Sequence, residues 1–138
     1  MKQYLFLLLS LAGLATSAQT AIGLDQQALK QWSIGTANFS GITKIDDTRY
    51  AVVSDKEPRD GFFLFRIYQD PQSGEISSVS LEGFKGNPHP ATDGDGNSLR
   101  DCEGIAYRPS SKTLFISGEG DQKVLEYDMN GTPTGKQL

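Results

Sequence analysis

Ser40-Gly41-Ile42-Thr43-Lys44-Ile45-Asp46-Asp47-Thr48-Arg49-Tyr50-Ala51-Val52-Val53-Ser54 returns sixty-three residues later, without a gap, as Glu103-Gly104-Ile105-Ala106-Tyr107-Arg108-Pro109-Ser110-Ser111-Lys112-Thr113-Leu114-Phe115-Ile116-Ser117. Gly-Ile, a polar turn, an apolar triplet and a closing Ser coincide in the two copies. Each copy reads as a strand, a tight turn and a second strand. Working outward, strand-like segments cover 41–45, 50–54, 62–69 and 76–84, and then 103–108, 113–117 and 123–129. They are enriched in Val, Ile, Phe, Tyr and Thr. The segments are separated by Asp46-Asp47, Pro58-Arg59-Asp60-Gly61, Asp70-Pro71, Ser73-Gly74, Pro109-Ser110-Ser111 and Asn130-Gly131, all turn formers. A short helix is expected over 24–32, and helical periodicity is absent after Trp32.

The expectation is therefore an all-β, antiparallel chain of β-propeller-like blades. A repeat longer than the usual 40 to 50 residues fits a blade carrying an insertion. Residues 85–100 (KGNPHPATDGDGNSLR) have no strand pattern and read as that insertion. The first copy has four strands and the second runs out after three. About two blades of a larger propeller are expected, with the remaining blades of a full-length protein as their partners, because two blades alone leave their flanks unburied. The expected blades cover 38–138, after a lead-in at 19–37.

Composition supports one folded domain. The chain has 138 residues, 37% hydrophobic and 22% charged, with 15 Gly and 6 Pro. Its net charge of −4 argues against a nucleic-acid partner, which favours a basic surface. The single Cys102 cannot form an intrachain disulfide, and neither Cys pairs nor His clusters are present to bind zinc or haem. Lys2, the apolar run Leu5 to Leu14 and the small residues Ala15-Thr16-Ser17-Ala18 have the order of a cleavable export signal, so residues 1–18 are expected to be removed and the chain to be secreted or periplasmic. An apolar stretch of about ten residues is too short to span a bilayer.

Asp101-Cys102-Glu103-Gly104-Ile105-Ala106, Thr113-Leu114-Phe115-Ile116-Ser117-Gly118-Glu119-Gly120 and Val124-Leu125-Glu126-Tyr127-Asp128-Met129-Asn130-Gly131 resemble a blade signature, D-x-E-G-I-A, L-[FW]-[IV]-S-x-E and I-x-x-[FY]-D-x-x-G. The signature is that of the phytase-like, "esterase-like activity of phytase" family, and 38–55 resemble a weaker copy of it. The resemblance implies an exported β-propeller related to calcium-dependent phytases. It also implies hydrolysis of a small-molecule phosphoester or related ester, with Ca²⁺ holding the substrate and activating water. Fold alone does not fix function. The competing reading is a non-catalytic secreted propeller that binds a glycan, peptide or envelope partner.

Asp101 and Glu103 are two apart, so an extended strand would put both carboxylates on one face and Cys102 on the other. Hard oxygen ligands of this type suit Ca²⁺, although a structural Asp or Glu is the alternative. Glu119 and Asp121 are further candidate ligands or substrate-facing groups, with a solvated loop as the alternative. Under the hydrolase reading, Lys56, Arg59 and Arg100 are candidate phosphate contacts. Asp93-Gly94-Asp95-Gly96-Asn97 begins like an EF-hand loop but fails it, with Ser98 where Gly is needed and Gly104 where Glu is needed. It reads as an Asp/Gly turn. His89 is the only histidine, and neither Ser40 nor Ser117 lies in G-x-S-x-G, which argues against a serine hydrolase. Cys102, with no identifiable base, reads as a small buried residue rather than a nucleophile.

Overall fold

A computed structural model describes Gly23 and residues 27–138 of the chain. The expected export signal, 1–18, lies outside the described residues, as do 24–26 of the expected short helix. Within the rest of that segment a single 3-10 turn, Leu29–Trp32, forms and ends at Ser33 in the left-handed region, φ 60°. No helix among the described residues is long and apolar enough to cross a membrane.

The all-β expectation is met by two antiparallel four-stranded sheets, each a meander. The first contains β1 (Phe39–Lys44), β2 (Arg49–Ser54), β3 (Arg59–Gln69) and β4 (Ile76–Pro90) in that order. The second contains β5 (Cys102–Arg108), β6 (Thr113–Gly118), β7 (Val124–Tyr127) and β8 (Pro133–Gln137). Side chains close the turns. Asp46 Oδ1 accepts the Thr48 and Arg49 amides, Asp70 Oδ1 those of Gln72 and Ser73, and Asp128 Oδ1 those of Asn130 and Thr132. In each case the short acceptor mimics a backbone turn bond.

Three expectations are corrected. The second sheet does not run out after three strands, because β8 completes it, Leu125 pairing with Gln137 and Tyr127 with Pro133. Every residue of β8 is exposed, so the strand carries no apolar alternation that a sequence could display. The stretch 85–100 is not wholly a loop: β4 runs on to Pro90, with Gly61 opposite Gly86 and Arg59 opposite Pro90. Its Pro88 and Pro90 are tolerated because β4 is an outer strand and a missing N–H there breaks no central ladder. The same pairing draws Arg59, Asp60 and Gly61 into β3, where a turn is expected. What remains of the insertion is a tight Asp93 turn closed by the Thr92 and Ser98 bridge.

The gapless repeat conceals a slip of one residue. Five residues separate Lys44 from its ladder partner Tyr50, but six separate Tyr107 from Leu114. Once Gly41 is matched to Gly104, the ladders match Val53 to Ser117, Val52 to Ile116, Leu64 to Glu126 and Phe65 to Tyr127. A slip of one residue turns a side chain to the other face, and this one decides how the sheets stack. Ala51, Val53, Phe62 and Leu64 of the first sheet meet Cys102, Leu114, Ile116 and Tyr127 of the second in one buried cluster. The ladder-equivalents of Ala51, Val53 and Leu64, namely Phe115, Ser117 and Glu126, lie outside that cluster, while those of Ile116 and Tyr127, namely Val52 and Phe65, belong to a second cluster with Ile34 and Val79. The sheets therefore pack head to tail, unlike face on unlike face.

Close backbone approach sets the seam between them. A Cβ on Gly41 would come 3.0 Å from the Glu103 carbonyl oxygen and 3.2 Å from Gly104 Cα, so β1 and β5 approach only because a side chain is missing there. Gly131, at φ 82° in the β7–β8 turn, presses on Lys85 and Gly86 of β4, where both a Cβ and the conformation exclude other residues. Polar contacts also cross the same seam. Ser40 Oγ donates to the Cys102 carbonyl at 2.6 Å, and the Tyr107 amide donates to Thr43 Oγ1 at 3.1 Å. On the far face of the first sheet the lead-in residues Trp32 and Ile34 cover Val52, Phe65 and Val79.

Candidate functional site at the seam of the two sheets

The strands deliver three carboxylates to one end of the seam. Asp55 follows β2, Asp101 precedes β5 and Glu103 lies within β5. One oxygen from each falls within 4.8 Å of the others. Asp101 and Glu103 lie close together, but not through the strand alternation that the sequence suggests. Asp101 lies outside the strand at φ 47°, held by its amide on Ser98 Oγ at 3.1 Å. Glu103 is the extra residue of a β-bulge, because Cys102 pairs with Gly118 and Gly104 with Ser117. The bulge re-aims a side chain that a regular ladder would point elsewhere, and Ser40 occupies the corresponding bulge of β1, where Phe39 pairs with Ser54 and Gly41 with Val53.

Asp55 was not among the residues singled out by sequence. Its signal is its place at the end of β2, matching Gly118 at the end of β6 in the other copy, but the first copy carries Asn38 and Ser40 where the second carries Asp101 and Glu103. Only the packing of one sheet's end on the other's start makes the three a group. Asp55 Oδ1 is buried and has no hydrogen-bond partner among the described residues. An orphaned buried carboxylate oxygen is costly unless something electropositive meets it. Lys56 supplies part of that charge, its Nζ lying 3.1 and 3.2 Å from the two Asp101 oxygens and 3.6 Å from Asp55 Oδ2.

The other expected residues are engaged nearby. Arg59 Nε and Nη2 donate to the two oxygens of Glu57 at 2.6 and 2.8 Å, and the guanidinium stacks 4.1 Å from the Phe84 ring centre. Glu57 is held below the usual carboxylate range, first by that side-chain bond. Arg100 is buried at 6% exposure. Its Nη1 donates to Asp121 Oδ2 at 2.6 Å and its Nη2 to the Ile116 carbonyl at 2.9 Å, while Nε lies 3.3 Å from Asp60 Oδ1. Asp121 is therefore brought to Arg100 rather than to the three-carboxylate group. Glu119 is exposed, and its amide donates to the Asp101 carbonyl, so its backbone supports the Asp101 loop. Cys102 is buried at 5% exposure, and burial pushes its thiol up, which keeps it protonated and non-nucleophilic.

Away from the seam, Asp93 Oδ1 accepts the amides of Asp95 and Asn97, so the EF-hand-like run is a self-capped turn. Glu126 is buried on the face of the second sheet that points away from the first. Its carboxylate accepts from Thr134 Oγ1, Thr113 Oγ1 and Arg108 Nη2, each at 2.8 Å, and lies 3.1 Å from Lys136 Nζ. The Thr134 and Thr113 hydroxyls, with Lys136, hold it down to about 2.

A family model described as Phytase-like, esterase-like activity of phytase, matches residues 34–137, a span that contains both sheets and all three carboxylates. No curated protein and no solved structure matches the chain.

Proposed function

Because the chain belongs to the phytase-like family, esterase-like activity of phytase, we propose that it forms part of an exported, calcium-dependent hydrolase of small-molecule phosphoesters or related esters. Its two sheets would be successive blades of a larger propeller. The observation that carries this reading is the convergence of Asp55, Asp101 and Glu103 at the sheet seam, with a buried Asp55 oxygen that has no hydrogen-bond partner among the described residues. An all-oxygen donor set fits Ca²⁺ rather than a metal that prefers nitrogen or sulfur. When bound, such a cation neutralises developing charge and makes water a better nucleophile. Asp55, Asp101 and Glu103 would hold it, and Glu103, the exposed member, leaves the site open to solvent. Lys56 is the cation of this chain best placed to meet a substrate's anionic oxygens, since Arg59 is clamped by Glu57 and Arg100 is buried.

Head-to-tail stacking supports the blade reading, because a stack of unlike faces can be extended by further sheets, whereas like-on-like packing stops at two. The test is calcium titration by calorimetry with a parallel phosphate-release assay on the full-length protein. Wild type should bind Ca²⁺ and cleave phytate or a simple phosphoester in a chelator-sensitive way. Glu103→Gln and Asp55→Asn should weaken both binding and turnover with the fold retained. Calcium binding without turnover would favour a secreted binding module, and neither would overturn the hydrolase reading.

A further inference from the structure

We propose that Lys56 is a resident counter-ion of the carboxylate site which an incoming divalent cation must expel, and that its freed ammonium then pairs with the anion bound beside that cation. The proposal rests on the calcium reading above and assigns Lys56 two successive positions within it. Lys56 Nζ touches two of the three carboxylates, at 3.1 and 3.2 Å from Asp101 and 3.6 Å from Asp55. Whichever Asp101 oxygen a divalent ion took at about 2.3 to 2.6 Å is already held by the ammonium. An ammonium and a divalent ion held on the same carboxylate oxygen repel, so the ion displaces the ammonium from it.

Lys56 can leave at low cost. Its side chain is 65% exposed, against 25% for Asp101 and 24% for Asp55, so it reaches in from solvent over carboxylates that the seam holds in place. Its backbone lies in the turn closed by the Glu57 amide on the Ser54 carbonyl, which anchors the stem beside the site while the four-carbon chain swings. Asp55 Oδ1, buried and without a hydrogen-bond partner among the described residues, is not reached by the ammonium, so Lys56 neutralises the group incompletely and leaves a demand that a divalent ion satisfies better. Expulsion and capture are thus two uses of one charge: it screens mutual repulsion of the carboxylates while no cation is held, and adds a positive contact once one is.

The experiment is calorimetric titration of Ca²⁺, and then of inorganic phosphate into the Ca²⁺-saturated protein, on wild type, Lys56→Met and Asp55→Asn. Because Lys56 is exposed, Lys56→Met should leave the circular dichroism spectrum unchanged. Expected is about a three- to tenfold tighter Ca²⁺ affinity for Lys56→Met, with phosphate affinity of the loaded protein lower by a similar factor. Asp55→Asn should weaken Ca²⁺ binding. Equal or weaker Ca²⁺ binding by Lys56→Met, with Asp55→Asn still defective, would overturn the counter-ion role while leaving the calcium site standing. Tighter Ca²⁺ binding with unchanged phosphate affinity would overturn the capture step. Absence of Ca²⁺ binding in wild type and Lys56→Met alike would remove the calcium site, and the proposal with it.

Discussion

Tyr127 Oη donates to Asp60 Oδ1 at 2.6 Å, a bond from the second sheet to the first made by a tyrosine with no exposed surface. Asp60 in turn faces the buried Arg100, which reaches Asp121 and the Ile116 carbonyl. The seam thus combines the buried apolar cluster with polar and ionic contacts between the sheets. Burial and the Asp60 bond both push the Tyr127 hydroxyl up, which favours its protonated, donating form.

Tyr127→Phe keeps the ring and removes the hydroxyl. Asp60 retains Arg100 but loses its shortest bond, so a loss of roughly 1.5 to 3 kcal/mol is expected, the range for a hydrogen bond to a charged group. Urea denaturation followed by far-ultraviolet circular dichroism reads this directly, and an unchanged midpoint would show that the bond contributes nothing.

Arg100→Met should be more damaging. It leaves Asp60 and Asp121 without their common cation and the Ile116 carbonyl without its donor. Breaking a buried ion pair from one side costs roughly 3 to 5 kcal/mol. Arg100→Lys should recover only part of the loss, since one ammonium cannot span the partners of a planar fork. Full recovery by lysine in a thermal melt would contradict the geometry described.

Glu126 predicts a pH dependence. Its carboxyl is held at about 2 in the fold, against about 4.3 in an unfolded chain. The unfolded state therefore binds the proton first as pH falls. The stabilisation is complete above the unfolded value and drains away as pH drops from about 5 toward 2. Wild type should lose thermal midpoint across that window, and Glu126→Gln should show a flatter slope. An identical slope would assign the acid sensitivity elsewhere, Asp46 being the other carboxyl held at about 2, chiefly by the Arg49 side chain.

The face of the second sheet that points away from the first carries Ala106 and its ladder partner Phe115, with Ala106 exposed. The head-to-tail relation makes this face the counterpart of the one that seats the second sheet on the first. This chain should therefore associate with rising concentration in sedimentation velocity, and Ala106→Glu should weaken that association without altering strand content. A monomer at all concentrations would argue that this face does not accept another sheet.

Local patterns made most of the fold legible. Apolar runs of β-branched and aromatic residues, punctuated by Asp, Gly, Pro and Asn turns, announce seven of the eight strands. The eighth, Pro133–Gln137, is invisible because a fully exposed outer strand needs ladder partners rather than apolar side chains. The continuation of β4 through Gly86, Asn87, Pro88 and His89 is hidden for a related reason: those residues have poor strand propensity, and β3 alone holds them in register.

Sequence alone determined the antiparallel all-β class and the duplicated Gly-Ile unit, because each depends on neighbours in the chain. The tertiary structure alone decided three other things. The extra residue in the β5–β6 turn is silent in a gapless alignment, yet it sets which face of each sheet is buried. Asp55 joins Asp101 and Glu103 only because Gly41 lets β1 approach β5. Arg100, which by sequence looks like a surface cation ready for phosphate, is withdrawn into the seam by Asp60 and Asp121. Each is a contact between residues far apart in the chain, and such contacts are set by packing geometry rather than by local propensity.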